Sequence, residues 1–153
     1  MKRTYKVKVF IDTNVLIDYL VPGREKHLQA VDLFSLILTS TIEAAFSTQS
    51  MLDVAYIGKR CPNFSTDQFR HTMEMLMGRT NVSYIDNSDM LCALRDPNED
   101  IEDNAQIAFA HSQRCDVIIT NDRKMLSRQV PSPMLIMDTQ EFLRRCSGAG
   151  VQE

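Results

Sequence analysis

The feature that most restricts the fold of this chain is a regular alternation of short β-rich segments with longer helical patterns. Residues 7–12 form a β-rich segment that ends in an acid. Residues 116–120 contain the wholly apolar run Val-Ile-Ile, as in a strand buried on both faces. Further strands are predicted at residues 43–46, 82–85 and 133–137. Because strands separated by helices form parallel sheets covered on both faces, the sequence predicts a three-layer α/β/α domain with four or five parallel strands.

Helices are predicted from apolar residues at helical spacing and from polar residues that cap helix ends. In the second helix, His27–Leu38, the apolar residues recur at the spacing of one helix face, as Leu28, Val31, Phe34 and Leu38. Ser47 and Ser65 have the side chains and positions of helix N-caps. The predicted helices span residues 13–21, 27–38, 48–59, 66–77, 88–94 and 101–113, with short ones after Asp122 and Asp138.

The chain of 153 residues fits one domain, predicted at residues 1–146 and followed by a disordered tail at 147–153 that contains two glycines. No apolar run approaches the roughly 18 residues that a membrane span needs, and the first residues lack an apolar signal core. The sequence therefore predicts a cytoplasmic protein without membrane association.

The charge and the metal-binding residue types exclude some classes of function. A net charge of −3 argues against a generic nucleic-acid coat, so any nucleic-acid binding must be local or mediated by cations. The four cysteines and three histidines fit no zinc-ligand spacing, and the cysteines are expected to be reduced packing residues. No glycine-rich phosphate loop is present, which disfavours nucleotide-dependent enzymes.

Two predicted strands end in the same way. The first is followed by Asp12, Thr13 and Asn14, and the later one by Thr120, Asn121 and Asp122. In open α/β sheets, ligands bind outside the carboxyl ends of the strands. Asp12 and Asp122 are therefore expected at one edge of the sheet, although each could simply cap the helix that follows it.

Two further acids are candidates for the same site. Asp53 interrupts the apolar stretch 51–57, where an unpaired carboxylate is costly to bury, so it is expected to face a cleft or a cation. Asp103 lies at a helix start among four acids in residues 99–103. For Asp100 and Glu102, interaction with the helix dipole is the simpler explanation.

If Asp12, Asp103 and Asp122 converge, they repel one another. Two like charges 4 Å apart cost roughly 4 kcal/mol at an effective dielectric constant near 20. A divalent cation removes this cost, and Mg²⁺ and Mn²⁺ prefer carboxylate oxygen and water as ligands. The cluster would then suit activation of water and neutralisation of a phosphate.

At these positions the sequence resembles the PIN-domain nucleases, and more closely the VapC-like toxins of toxin–antitoxin pairs. The match consists of Phe-Ile-Asp-Thr-Asn at 10–14, Asp53 within a helix, Asp-Ile-Glu-Asp at 100–103 and Ile-Thr-Asn-Asp at 119–122. The order and spacing of these motifs agree over nearly the whole chain.

The resemblance implies a PIN-like fold and Mg²⁺- or Mn²⁺-dependent hydrolysis of RNA. It implies Asp12, Asp103 and Asp122 as metal ligands, with Asp53 where the family usually has glutamate. Thr13 or Asn14 would orient Asp12, and Thr120 would support the site by hydrogen bonds. The implied partners are an RNA substrate, a protein antitoxin that blocks the site, and a second copy of the chain in a homodimer.

Other residues and rival functions remain open at this stage. Basic residues are expected on solvated faces, namely Lys59, Arg60, Arg123, Lys124, Arg128, Arg144 and Arg145. Of these, Arg123 and Lys124 directly follow Asp122 and could contact a phosphate.

One rival to the nuclease function is a PIN-like RNA- or protein-binding module without catalysis. Another is a phosphatase of the haloacid-dehalogenase type, which needs a second acid where this chain has Asn14.

Overall fold

The computed structural model describes residues 5–148, and its elements alternate as the sequence predicts. In chain order they are β1 (Lys8–Ile11), α1 (Thr13–Leu20), α2 (His27–Leu38), β2 (Glu43–Ser47), α3 (Thr48–Gly58), α4 (Thr66–Arg79), β3 (Asn81–Ser83), α5 (Asn87–Arg95), α6 (Ile101–Ser112), β4 (Val117–Ile119), α7 (Arg123–Leu126), β5 (Leu135–Met137) and α8 (Thr139–Gly148). Ser47 and Ser65 cap α3 and α4 through their side chains, as predicted.

The strands form one five-stranded parallel sheet in the order β3-β2-β1-β4-β5. The chain builds outward from β1 to β3, then returns to place β4 beside β1. This pairing is in register, with Ile11 opposite Ile119. The strand order therefore reverses between β1 and β4, which is where ligands bind in such sheets.

Helices cover both faces of the sheet because strand side chains alternate in direction. Val9 and Ile11 pack in the larger core with residues of α1–α4 and α8. Phe10 and Ile118 point to the opposite face, where the ring of Phe10 meets that of Phe109 on α6 at a centroid distance of 5.7 Å. The three-layer α/β/α prediction is confirmed.

Several local predictions are wrong. On α2, Leu28 and Val31 are exposed, and the buried face consists of Ala30, Leu33, Phe34 and Ile37. This helix carries apolar residues on more than one side, so spacing alone does not select the face that meets the sheet. The strand predicted at 82–85 starts and ends earlier, at Asn81–Ser83.

The last predicted segment and the cysteines also differ from expectation. Residues 147 and 148 belong to α8, and the rest of the predicted tail, 149–153, lies outside the described residues. All four thiols are free, as expected, but only two of them pack: Cys115 is buried and Cys61 lies against the larger core, whereas Cys92 and Cys146 are exposed. Within the described range, no helix has the length and apolarity to cross a membrane.

Candidate active site

Asp12 directly follows β1 and is held rigidly at the carboxyl edge of the sheet. Its Oδ1 accepts a hydrogen bond of 2.7 Å from the backbone N–H of Thr13, which caps α1. Its Oδ2 accepts hydrogen bonds from the Thr120 hydroxyl at 2.6 Å and the Asn14 side-chain amide at 2.9 Å. Burial raises the pKa of Asp12, the hydrogen bonds oppose this, and the charge of Asp122 adds to it.

The Thr120 hydroxyl connects the two strand-end acids. Thr120 is fully buried after β4, and its Oγ1 donates to Asp12 and accepts from the backbone N–H of Asp122 at 3.1 Å. Asn14 adds a longer bond to the same oxygen, 3.3 Å. Thr13 acts only through its backbone, because its buried hydroxyl has no hydrogen-bond partner within residues 5–148.

Asp122 lies at the exposed start of α7 and also serves as a helix cap. Its Oδ1 accepts from the backbone N–H of Lys124 at 3.0 Å. Asp12 and Asp122 therefore each cap a helix and also lie at the candidate site.

Asp103 lies in the first turn of α6, close enough to Asp12 and Asp122 for the charges of the three side chains to interact. Burial raises its pKa to about 6, with contributions from the charges of Asp100, Asp12 and Asp122, while Arg128 lowers it. The charges of the three acids predicted as metal ligands therefore act on one another at this edge of the sheet.

Asp53 and Glu102 both line a cleft of about 640 Å³. Asp53, on α3, accepts a 2.8 Å hydrogen bond from the Gln49 side-chain amide. Partial burial raises the pKa of Glu102, and the charges of Asp53, Asp100 and Asp12 raise it further.

Assigning Glu102 to the helix dipole was therefore incomplete. Four acids in residues 99–103 exceed what one helix end can use, and this excess was the available signal.

Arg128 was predicted on a solvated face, but its side chain is largely buried. Its side chain is only 10% exposed and packs beside α6. Its Nη2 donates to Asn104 Oδ1 at 2.5 Å and lies 3.6 Å from Asp96 Oδ2. The fully buried Met125 of α7 holds the following turn against the domain, which explains why Arg128 is not on a solvated face.

Asp18 is a buried acid near the site that the sequence did not single out. Its Oδ1 forms a 2.6 Å ion pair with Arg24 Nε, and its Oδ2 accepts from the Asn121 amide at 3.1 Å. Asn121 in turn donates its backbone N–H to Asn14 Oδ1. Asp18 therefore braces the loop that carries Thr120 and Asp122.

The donor atoms at this edge are compatible with a hard divalent cation. Burial and mutual repulsion raise the pKa values of Asp12, Glu102 and Asp103, and a cation would relieve both costs. Within residues 5–148, however, no three acidic, histidine or cysteine side chains are close enough to bind one ion directly. Mg²⁺ commonly binds through one or two carboxylates and several waters, so the residues fit an ion held partly through water.

Comparison with known proteins gives a family and several relatives. A family model described as PIN domain matches residues 8–124. Ribonuclease VapC1 of Aquifex aeolicus (strain VF5) is 24% identical over 144 residues, which cover 90% of this chain and 94% of that protein.

Two solved structures have the same arrangement of elements. VapC20 of Mycobacterium tuberculosis, a sarcin–ricin loop cleaving toxin, is 12% identical with a TM-score of 0.63, covering 82% of this chain and 98% of that chain. VapBC2 of Rickettsia felis, bound to a DNA fragment from their promoter, is 11% identical with a TM-score of 0.60, covering 86% and 98%. At these identities the likeness establishes a shared fold.

Proposed function

This chain belongs to the PIN domain family, and from that premise we propose that it is a metal-dependent endoribonuclease acting as the toxin of a toxin–antitoxin pair. The observation that carries the proposal is the convergence of Asp12, Asp103 and Asp122, whose charges act on one another at the edge of the sheet. The names of two similar proteins, ribonuclease VapC1 and the toxin VapC20, support RNA as the substrate. The proposed site of action is the cytoplasm.

Asp12, Asp103 and Asp122 would hold Mg²⁺ or Mn²⁺, which when bound neutralises phosphate charge and acidifies a water molecule. Asp12 needs no reorganisation for this role, since Thr120 and Asn14 already fix its Oδ2. An aspartate of this cluster would orient a water molecule and take its proton as the water oxygen bonds to phosphorus. The bond between phosphorus and the 3′ oxygen breaks, the 3′ oxygen takes a proton from solvent, and a 5′-phosphate remains.

Asp53 and Glu102 extend the site along the cleft. Asp53 stands where the family usually has glutamate, and its shorter side chain reaches less far. Glu102 is near enough for the two charges to interact, which supports a shared role in holding water at the site. On this basis Glu102→Gln reduces RNA cleavage more than a change at an exposed acid does.

The decisive test is cleavage of single-stranded RNA by the purified protein in Mn²⁺ and in EDTA, with Asp12→Asn and a control variant. Asp67→Asn is the matched control because the Asp67 side chain is 94% exposed on α4, outside the site. We expect cleavage in Mn²⁺ by the wild type and by Asp67→Asn. Cleavage and Mn²⁺ binding should both be lost in Asp12→Asn, and equal cleavage in EDTA would refute the proposal.

The same assay separates the rival functions. A binding module without catalysis would bind RNA and leave it intact in every condition. A phosphatase of the haloacid-dehalogenase type would turn over p-nitrophenyl phosphate. It is disfavoured because its second acid is replaced by Asn14, whose side chain is already bonded to Asp12.

A protein antitoxin is the proposed partner, and the cleft beside Asp53 is its proposed docking surface. Exposed apolar side chains line the cleft, including Tyr84, Tyr56 and Ile57. Covering them would also cover Asp53 and Glu102, which explains how a partner blocks the site. Tyr84→Glu should abolish co-purification with the product of an adjacent short reading frame. The proposed homodimer is tested by light scattering of the purified chain.

A further inference from the structure

Asp103 also lines a second pocket, separate from the cleft that holds Asp53 and Glu102. Asp103 and Asp100 form one part of its wall, and Lys124, Ser127 and Arg128 form another. Its volume is about 650 Å³, enough for a phosphate and its sugar. The pocket therefore places the positively charged side chains of Lys124 and Arg128 near Asp103, a proposed metal ligand.

Arg128 is fixed in this pocket with an unused donor. Asn104 and Asp96 hold the Nη2 end of the guanidinium, and the side chain is nine-tenths buried. Its Nη1 is buried and has no hydrogen-bond partner among the described residues. A buried donor without a partner is costly, and arginine is well suited to phosphate because its planar group presents several donors at once.

Lys124 supplies the second positive charge, and its neighbour does not. Lys124 lines the pocket. Arg123 is exposed and does not line this pocket, as far as the described residues show. The two residues that follow Asp122 thus have different surroundings, although the sequence presents them as a pair.

The acids in the wall restrict which anion can bind. Glu99, Asp100 and Asp103 repel a free anion, and Asp96 already takes part of the Arg128 charge. A phosphate tethered to the one that is cut would overcome this repulsion, because a cation held by the acids of the site would offset their charge. The pocket is therefore suited to a phosphate within a chain.

We propose that Lys124 and Arg128 form a subsite for a backbone phosphate of the RNA substrate adjacent to the phosphate that is cut. This inference rests on the proposed ribonuclease function and adds the residues that position the substrate. Arg128 binds through its guanidinium group, whose Nη1 has no other partner among the described residues, and Lys124 binds through its ammonium group. Neither takes part in bond cleavage.

The test is binding of a short fluorescein-labelled single-stranded RNA, followed by anisotropy at several salt concentrations in Ca²⁺, which offers the same acids a hard cation. The variants are Lys124→Gln, Arg128→Lys and Arg128→Gln, with Arg123→Gln as the matched control. Each lost phosphate contact should reduce the slope of log affinity against log salt by about 0.7 for a single strand. Arg128→Gln should weaken binding roughly ten-fold or more, Arg128→Lys less, and Arg123→Gln leave the slope unchanged.

Lys124→Gln keeps the proposal testable if Arg128→Gln fails to fold, because Lys124 is exposed. An equal slope for Lys124→Gln and Arg123→Gln would overturn the subsite. So would stabilisation of the wild type by inorganic phosphate alone with no change in RNA binding among the variants, since this would indicate a free-anion site. If RNA binds as predicted but Mn²⁺ never produces cleavage, the ribonuclease proposal fails, and only the contact of Lys124 and Arg128 with an RNA phosphate stands.

Discussion

Replacing Thr120 by valine removes a hydroxyl group that three hydrogen bonds of the candidate site share. Valine keeps the volume and branching of threonine, so the packing of this fully buried position is retained. Asp12 loses the donor at 2.6 Å, and the backbone N–H of Asp122 loses its acceptor. The perturbation is thus electrostatic and local.

The expected cost follows from the kind of bond that is lost. A hydrogen bond to a charged group stabilises a protein by about 1.5–3 kcal/mol, more than a neutral one. Asp12 retains the Thr13 and Asn14 bonds, so a value near the middle, about 2 kcal/mol, is expected. For a domain of this size, that corresponds to a fall in Tm of about 4–8 °C.

The assay is thermal and urea unfolding of Thr120→Val beside Thr120→Ser, both in EDTA. Serine keeps the hydroxyl and loses only a methyl group, so it separates the hydrogen bonds from the packing. Mn²⁺ binding, measured by calorimetry, should weaken in the valine variant and remain close to wild type in the serine variant. Equal stability and equal Mn²⁺ affinity in the two variants would refute the role assigned to this hydroxyl.

Two further predictions concern packing and charge. Gly58→Ala places a Cβ 2.3 Å from the Phe64 ring and should lower the free energy of unfolding in urea by about 1–3 kcal/mol. Gly78→Ala, with no atom within 4 Å of its Cβ, should instead stabilise α4 by about 0.5–1 kcal/mol. Equal effects of the two changes would contradict the packing seen around Gly58. The pKa of Asp103 in the folded protein, about 6, lies above the value of 3.8 for an unperturbed aspartate. The folded protein therefore binds more protons between these values, and its stability in EDTA should fall as pH rises through this window. Asp103→Asn should therefore raise Tm in EDTA at pH 8 and abolish the stabilisation by Mn²⁺, and a lowered Tm would contradict the like-charge crowding.

The sequence predicted those parts of the molecule that depend on local pattern. The apolar run of β4 marked a central strand, and the position of Asp12 and Asp122 directly after strands was enough to bring them to one edge. Their meeting follows from the topology of parallel sheets, which leaves little choice about where strand ends lie.

The parts that were missed depend on how helices rotate against the sheet. The sequence assigns Glu102 to the helix dipole and Arg128 to solvent, and only the packing of α6 and α7 brings Glu102 to the cleft and buries Arg128. Leu28 on α2 is the reverse case, because its apolar side chain fits a buried face by spacing but is exposed in the structure. Periodicity gives a helix its faces, but the neighbouring elements determine which face is buried.

The placement of β4 beside β1 has a consequence for synthesis on the ribosome. The amino-terminal half of the chain can pair β1 with β2 and then β3 as it emerges, but the edge of β1 that receives β4 stays open until residue 117 has been added and released. Asp12 meets Thr120 and Asp122 only at that late step. A nascent or truncated chain that stops before Asp122 therefore lacks the assembled acid site.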